Sequence, residues 1–248
     1  MRAEDKQLIS EVLLDYPDLR IFIREGNWST FWKELRKISF GANSKNKYHD
    51  AYAIFILTFG ELHIGKLPDL FPIWSFYGQK DLGNLIIPEG IKVLGNDCFR
   101  EATFDSIKLP TTLKEIQYEA FSGSNLSEIV LPDKLEMLSS NVFTNTNLSE
   151  INLPNRLKYI GNCCFNGCNI SEITVPESVE ELWPLCFYNM CNGKDIIVNL
   201  PKKWSRKLPL VKGALGIDDN SKPQKSKNHH RWVFEGIGLG YSITVNFY

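Results

Sequence analysis

A 22-residue period in the middle of this chain limits what it can fold into more than any other feature. Prolines recur at that spacing in five successive units, at Pro88, Pro110, Pro132, Pro154 and Pro176. Phenylalanines recur in the same way, at Phe99, Phe121, Phe143, Phe165 and Phe187. A fixed period of this length is typical of a solenoid, in which each unit buries its apolar face only by stacking on its neighbours. The sequence therefore predicts five stacked coils between residues 85 and 195.

The alignment of the units separates inward from outward positions. One column stays apolar throughout, at Leu94, Ile116, Leu138, Ile160 and Leu182. Together with the phenylalanines it is predicted to form a continuous core. Apolar residues alternate in Ser127–Leu131, which predicts a short strand that the following proline ends because proline has no N–H donor. A second short strand is predicted around Leu113–Ile116.

The residues of one unit, Glu128-Ile-Val-Leu-Pro132, Leu135-Glu-Met-Leu138 and Val142-Phe143, have counterparts in the other four units. This pattern resembles the BspA-like, or Treponema-pallidum-type, leucine-rich repeat family over roughly residues 85–195. The resemblance implies a non-enzymatic interaction protein, as in many bacterial surface proteins and adhesins. The expected fold class is α+β, with a short leucine-rich-repeat β-solenoid of five 22-residue coils between an N-terminal helical domain and a C-terminal β-rich cap.

The segment before the repeats carries apolar residues at helical spacing. Ser29 is predicted to N-cap a helix that ends near Gly41, and Tyr48–Phe59 is apolar nearly all round, which predicts a buried helix. Glycines, prolines and aromatics over residues 60–83 predict an irregular junction. Residues 1–82 are therefore expected to be a helical N-terminal domain or a cap on the open end of the solenoid.

The period breaks after the fifth unit. Ile196–Pro201 predicts a further strand, whereas the polar and basic stretch Lys202–Arg231 is expected to be a loop. Two strands, Arg231–Glu235 and Tyr241–Phe247, predict a closing hairpin. The chain is thus expected to divide into the helical part, residues 1–82, the repeat solenoid, residues 83–195, and C-terminal capping strands with a basic loop, residues 196–248.

The formal charge of −1 conceals an uneven distribution. Lys and Arg number 8 against 15 Asp and Glu over residues 85–195, but 9 against 3 over residues 196–248. An acidic rod beside a basic tail suggests nucleic acid or an acidic partner, or attraction between the two parts of the chain. The charged N-terminus and the lack of an apolar run of about 18 residues predict no signal peptide, no membrane segment and a cytoplasmic protein.

The cysteine spacings are not those of a metal site. Cys98, Cys164 and Cys186 occupy the column before the phenylalanine and are predicted to be small core residues. The last two should lie within disulfide reach of each other, but a cytoplasmic setting would keep them reduced. The other cysteines, Cys163, Cys168 and Cys191, lie at predicted turns and lack the paired Cys-x-x-Cys pattern of zinc ligands.

Other short motifs also have structural interpretations. The glycines at 236, 238 and 240 lack the strand-to-helix context of a dinucleotide loop and predict a hairpin turn. The Asn-x-Ser matches at Asn125, Asn147 and Asn169 recur at the repeat period, which predicts a turn ladder. None of the four histidines has a catalytic or metal-ligand spacing. We therefore expect no catalysis, no cofactor, no metal and no small-molecule substrate, although an enzyme centred on the N-terminal segment remains a third alternative.

The function expected from this sequence is a non-catalytic module that binds a macromolecular partner, most often a protein, through the solenoid face and its flanks. It could act as an adaptor or an inhibitor, for example one encoded by a phage or mobile element. Candidate contacts are outward positions with large or acidic side chains, namely Tyr118, Glu128, Met137, Glu150, Tyr159, Glu172, Trp183 and Tyr188. For Trp183 and Tyr188, packing beneath the C-terminal cap is the alternative.

The alternative function is nucleic-acid binding through the basic C-terminal segment. Its candidate residues share a positive charge and follow the last repeat, namely Lys202, Lys203, Arg206, Lys207, Lys222, Lys225, Lys227 and Arg231. Trp204 or Trp232 would be available to stack on bases. The acidic rod beside this segment would repel phosphates.

Overall fold

The computed structural model describes residues 2–40, 49–59, 67–218, 221–225, 231–234 and 241–248. Within these ranges, the helices that precede the repeats are α1 (Ala3–Asp15), α2 (Asp18–Arg24), α3 (Trp28–Phe40) and α4 (His49–Phe59). The α3 helix packs on both α2 and α4, and α1 packs on α4. The predictions for Gly41, Tyr48 and the glycines at 236, 238 and 240 lie outside the described residues.

The start of α3 differs from the prediction. The helix begins at Trp28, before Ser29, and the Thr30 N–H donates to Asn27 Oδ1 at 3.3 Å. A side-chain oxygen that accepts this bond at a helix start has the role of an N-cap. The cap is therefore Asn27, and Ser29 lies inside the first turn.

Short strands divide the repeats at regular intervals. The strands described between residues 67 and 195 are β1 (Leu70–Phe71), β2 (Asn84–Ile86), β3 (Val93–Leu94), β4 (Ser106–Lys108), β5 (Glu115–Ile116), β6 (Met137–Leu138), β7 (Tyr159–Ile160), β8 (Glu172–Thr174) and β9 (Glu181–Leu182). Six of them pair in parallel in the order β1-β3-β5-β6-β7-β9. We call this the ladder sheet, and it confirms the strand predicted around Leu113–Ile116.

The strand predicted at Ser127–Leu131 is wrong for the two middle coils. In the first coils the equivalent segments β2 and β4 are strands and pair with each other. In the last coil the equivalent segment β8 is also a strand, and it pairs with residues 197–199 of the C-terminal segment. Ser127–Leu131 and its counterpart Ser149–Leu153, both fully described, belong to no strand. Alternating apolar residues determine which side chains are buried, and Leu131 is buried as expected. They do not ensure that the backbone pairs with a neighbouring strand.

The described solenoid has six coils, one more than predicted. Leu70 and Phe71 pair with Val93 and Leu94, and the Phe76 N–H donates to the Cys98 carbonyl at 2.8 Å. Residues 70–83 are therefore part of an additional first coil, and the irregular junction predicted there is wrong. The prediction missed this coil because Phe76 lies 23 residues before Phe99 and Pro68 lies 20 residues before Pro88, so neither keeps the 22-residue period.

A stack of phenylalanine rings runs through the solenoid, as predicted. The rings of Phe99 and Phe121 lie 5.4 Å apart and 8° from parallel, and the same arrangement continues to Phe187. Phe71 and Phe76 extend the stack into the first coil. Each of these side chains is at most 1% exposed, so the apolar spine is continuous along the repeats.

The C-terminal segment closes the last coil with both a sheet and a helix. The strand β10 (Ile196–Leu200) is followed by α5 (Leu208–Leu215), and then by β11 (Gln224–Lys225), β12 (Arg231–Phe234) and β13 (Ile243–Phe247). The strands pair in the order β11-β12-β13-β10-β8, with β12 and β13 antiparallel. This confirms the further strand and the hairpin strands.

The loop predicted over Lys202–Arg231 is wrong for its central part. The α5 helix lies there, and its Gly213 and Ala214 carbonyls accept hydrogen bonds from Leu185 and Phe187 of the last coil, at 2.7 and 2.9 Å. Those backbone donors would otherwise be left unpaired at the end of the stack. The helix therefore caps the solenoid.

Polar contacts join the N-terminal helices to the first coil. Gln79 Nε2 donates to Asp50 Oδ2 at 3.1 Å, and Arg2 donates to the Lys80 carbonyl at 3.4 Å. Burial raises the pKa of Asp50 to about 6, against the opposing effect of Arg2 and with a further increase from Asp5. The carboxyl group is thus held in a site that disfavours its charged form.

Candidate functional site on the ladder sheet

Each strand of the ladder sheet points one side chain inward and one outward. The second residues, such as Ile116, Leu138 and Ile160, are fully buried. The first residues are partly or fully exposed and form an outward row, in the order Leu70, Val93, Glu115, Met137, Tyr159 and Glu181. This row is the continuous external face of the sheet.

An apolar groove lies beside the row, across the last three strands. Its volume is about 270 Å³. Its lining includes Met137, Tyr159 and Trp183, together with Ser139 and Gly161. We call it the Tyr159 groove. The structure thus brings together three of the predicted contact residues.

At Gly161, the lining of the groove depends on close packing of two backbones. A Cβ atom added to Gly161 would lie 2.5 Å from the Ser140 nitrogen of the preceding coil. Such a distance is far inside van der Waals contact. Only glycine therefore allows the two coils to approach as closely as they do at this point.

Two aromatic side chains at or near the groove are open to solvent. Trp183 is 49% exposed, and its Nε1 donates to Glu181 Oε2 at 3.2 Å. Because half of its surface is open to solvent, the Trp183 side chain is not buried beneath the cap. Tyr118 is 42% exposed. It occupies the position in the preceding coil that corresponds to Ser140, a residue that lines the groove.

Tyr188 is elsewhere, under the C-terminal helix. A Cβ atom added to Gly216, which ends α5 with a φ of +70°, would lie 2.5 Å from Tyr188 Cδ2. The Tyr188 ring therefore contacts the cap, as in the alternative interpretation of this residue. Its contribution is to the packing of α5 on the last coil.

The three predicted glutamates do not lie on the ladder sheet. Glu128 and Glu150 are exposed on the segments of the middle coils that form no strand, and Glu172 is on β8. The Glu172 carboxylate accepts a hydrogen bond from Asn199 Nδ2 at 2.8 Å. The predicted contact set is therefore divided between two faces of the solenoid.

The basic residues predicted to bind nucleic acid follow the last coil, and those whose side chains are described are exposed. These residues are Lys202, Lys203, Arg206, Lys207, Lys222 and Arg231. The Lys225 side chain and Lys227 lie outside the described residues. The prediction that Trp204 or Trp232 could stack on bases is wrong, because these side chains are 1% and 2% exposed. Lys207 Nζ instead lies 4.7 Å from the centre of the Trp204 ring.

The cysteines are unpaired thiols, and four of them are buried. Burial raises the pKa of Cys98, Cys164 and Cys186 well above the ordinary value, and that of Cys168 to about 11. Buried neutral thiols are poor nucleophiles and poor metal ligands. Within the described ranges, no group of three or more His, Cys, Asp or Glu side chains could hold a metal ion.

Asn125 has the turn role that its repeat position predicts. Its Oδ1 accepts a hydrogen bond from the Phe104 N–H at 3.1 Å, and its Nδ2 donates to the Phe104 carbonyl at 2.9 Å. Both ends of the amide therefore join one coil to the preceding one.

The parallel coils, the stacked apolar spine and the short ladder strands define a leucine-rich-repeat solenoid. The family model of the BspA type leucine rich repeat region matches residues 72–194 in six copies, which confirms the predicted resemblance over this segment of the chain. Leucine-rich repeats are commonly protein–protein interaction modules and are typically non-catalytic. A search of curated proteins found no match.

No helix in the described part of the chain is long and apolar enough to cross a membrane.

Proposed function

We propose that this protein is a non-catalytic binding module that recognises a protein partner through the Tyr159 groove. The observation that carries this proposal is the exposure of Trp183 beside Tyr159 and Met137 on one continuous sheet face. Aromatic side chains at the centre of an interface supply a large share of its binding energy. Here they are already gathered before any partner is present.

The rigidity of the ladder sheet supports the same proposal. Met137 and Tyr159 are held in register by adjacent parallel strands, and Trp183 is held by its bond to Glu181. A surface that is ordered in advance loses less conformational entropy on binding. The groove volume of about 270 Å³ is below the range of about 300–1,000 Å³ of small-molecule pockets, which favours a side chain of a larger partner.

We further propose that the module acts as an adaptor, or as an inhibitor that covers an active surface of its partner. Nucleic-acid binding is the weaker candidate, because Trp204 and Trp232 are buried and the repeats carry 15 acidic residues against 8 basic ones. A predominantly acidic surface repels the phosphate backbone.

The experiment is to capture partners from the native host on the immobilised protein and to measure the affinity of each captured protein for purified variants. Trp183→Ala and Tyr159→Ala should each weaken binding by about 2 kcal/mol, or roughly thirtyfold. Trp74→Ala is the matched control. Trp74 is 53% exposed and its Nε1 donates to Asp97, but it lies in the first coil.

The control should change the affinity less than twofold, and melting temperatures should show that all variants are folded. A partner that binds both groove variants with unchanged affinity would contradict the proposal. Its binding site would then lie outside the Tyr159 groove.

A further inference from the structure

We propose that the partner segment on this face is an extended, basic stretch of polypeptide with two cationic side chains four residues apart and an apolar side chain midway between them. This inference rests on the proposed function and specifies its ligand. It follows from the order of side chains in the outward row, from the spacing of the strands and from the charge of the surrounding surface.

The row places two acidic side chains around two apolar ones. Glu115 pairs with Met137, Met137 with Tyr159, and Tyr159 with Glu181 on successive parallel strands. Neighbouring strands are about 4.8 Å apart. Three such steps place the backbone of Glu115 about 14 Å from that of Glu181.

The repeat distance of an extended chain matches this spacing. An extended polypeptide rises about 3.4 Å per residue, and alternate side chains share one face. Side chains at the first and fifth positions are therefore about 14 Å apart. The side chain at the third position lies midway, which is where Met137 and Tyr159 meet. A chain crossing the strands can thus match both carboxylates and the groove at once.

Both carboxylates retain capacity for a cation. Glu115 Oε1 accepts a bond from Gln117 at 3.1 Å, and Glu181 Oε2 accepts one from Trp183 at 3.2 Å. A carboxylate has about four acceptor positions on its two oxygens, so a guanidinium or an ammonium group can add to either. The half-exposed Trp183 ring beside Glu181 can also contact a cation through its π face.

The surroundings of the row are acidic on balance. The charged residues on its strands and directly before them are Asp69, Lys92, Lys114, Glu115, Glu136, Lys158, Glu180 and Glu181. Lys158, directly before Tyr159 in the chain, is paired with Glu136 at 3.2 Å. The excess of carboxylates, with Glu115 and Glu181 on either side of Met137 and Tyr159 in the row, favours a basic partner over an acidic one.

The test uses a fluorescently labelled peptide that carries Arg-Thr-Leu-Thr-Arg between Gly-Ser flanks. Its binding to the intact protein is measured by fluorescence anisotropy at low salt. A second peptide of the same composition, with the core rearranged to Arg-Arg-Leu-Thr-Thr, tests the spacing. The double variant Glu115→Gln/Glu181→Gln tests the charges. Glu128→Gln/Glu150→Gln is its matched control, because it removes the same charge from exposed positions off the ladder sheet.

We expect the first peptide to bind the unmodified protein, with an affinity that falls as salt is added. The Glu115→Gln/Glu181→Gln variant should weaken this binding by about fivefold to tenfold, since two partly exposed ion pairs are lost. The control variant should change it less than twofold. The rearranged peptide should bind at least about threefold more weakly, because only one cation can then reach a carboxylate.

Equal binding of the two peptides, equal effects of the two double variants, or no binding of either peptide would overturn the inference. So would a dimer that dissociates on Tyr159→Ala, because a second copy would then occupy the groove. A host partner that is lost with Tyr159→Ala but insensitive to Glu115→Gln/Glu181→Gln leaves the proposed function standing and refutes only its basic ligand. A host partner whose affinity is unchanged by Tyr159→Ala refutes the proposed function itself.

Discussion

At the scale of single residues, the close approach of neighbouring coils decides which side chains are allowed. Gly161 and Gly95 are examples, since a Cβ atom at Gly95 would lie 2.7 Å from the Phe71 carbonyl oxygen of the preceding coil. Backbone atoms on a stacked coil cannot move aside independently, because the neighbouring coils hold them on both sides. The requirement for glycine there is steric.

Gly161→Ala should therefore destabilise the protein by about 1–3 kcal/mol, the usual cost of overpacking a close-packed site. The measurement is urea unfolding followed by circular dichroism. Gly213→Ala is the control, because a Cβ atom at Gly213 would meet nothing within 4 Å and the residue lies in α5. That change should stabilise the helix by about 0.5–1 kcal/mol. Equal effects of the two substitutions would show that the coils can separate at Gly161.

At the scale of elements, α4 is tied to the first coil through a carboxyl group in an unfavourable site. The folded-state pKa of Asp50, about 6, is above its ordinary value of 3.8 because the group is partly buried. At pH values between 3.8 and about 6, the unfolded chain binds fewer protons than the folded protein, because Asp50 is ionised in the unfolded chain and still protonated in the folded one. Stability should therefore fall as the pH rises from about 4 to about 6, and the cost remains in full above that range.

Asp50→Asn should remove this cost and keep an oxygen that accepts the bond from Gln79. The variant should be more stable than the unmodified protein above pH 6, by on the order of 2 kcal/mol. The difference should disappear as the pH approaches 4. Unfolding in urea from pH 4 to pH 8 measures it, with Asp133→Asn, an exposed position in a middle coil, as the control. A difference that is the same at every pH would rule out titration of Asp50 as its origin.

At the scale of the whole molecule, both ends of the solenoid are covered. The α5 helix bonds to the backbone of the last coil. At the other end, Phe76, Leu82 and Leu85 are nearly inaccessible, and together with Ile54 and Leu57 of α4 they line a cavity of about 370 Å³. Terminal coils of a solenoid need such cover because their apolar faces have no neighbouring coil.

Removing residues 1–59 should therefore expose the first coil and cause aggregation. Sedimentation velocity should show oligomers, and the melting temperature should fall below that of the full chain. If the shortened protein stays monomeric with an unchanged melting temperature, the helices are an independent domain and not a cap.

The 22-residue period alone was enough to predict the stacked coils, the inward columns and the phenylalanine spine, because a repeated apolar unit can be buried only against its own copies. It also placed Met137 beside Tyr159, since they occupy the same column. The first coil was missed because an additional residue shifts Phe76, and α5 because its pairing with Leu185 and Phe187 depends on residues far along the chain.

Tertiary structure alone decided which outward side chains share a face. Tyr188 and Trp183 have the same outward pattern in the sequence, but Gly216 of the cap covers Tyr188 and leaves Trp183 beside the groove. In the same way, Trp232 contacts Phe247 at 4.5 Å between ring centres and is withdrawn from the surface. Periodicity is a local property that determines orientation within a coil, whereas exposure depends on packing by distant segments that carry no period.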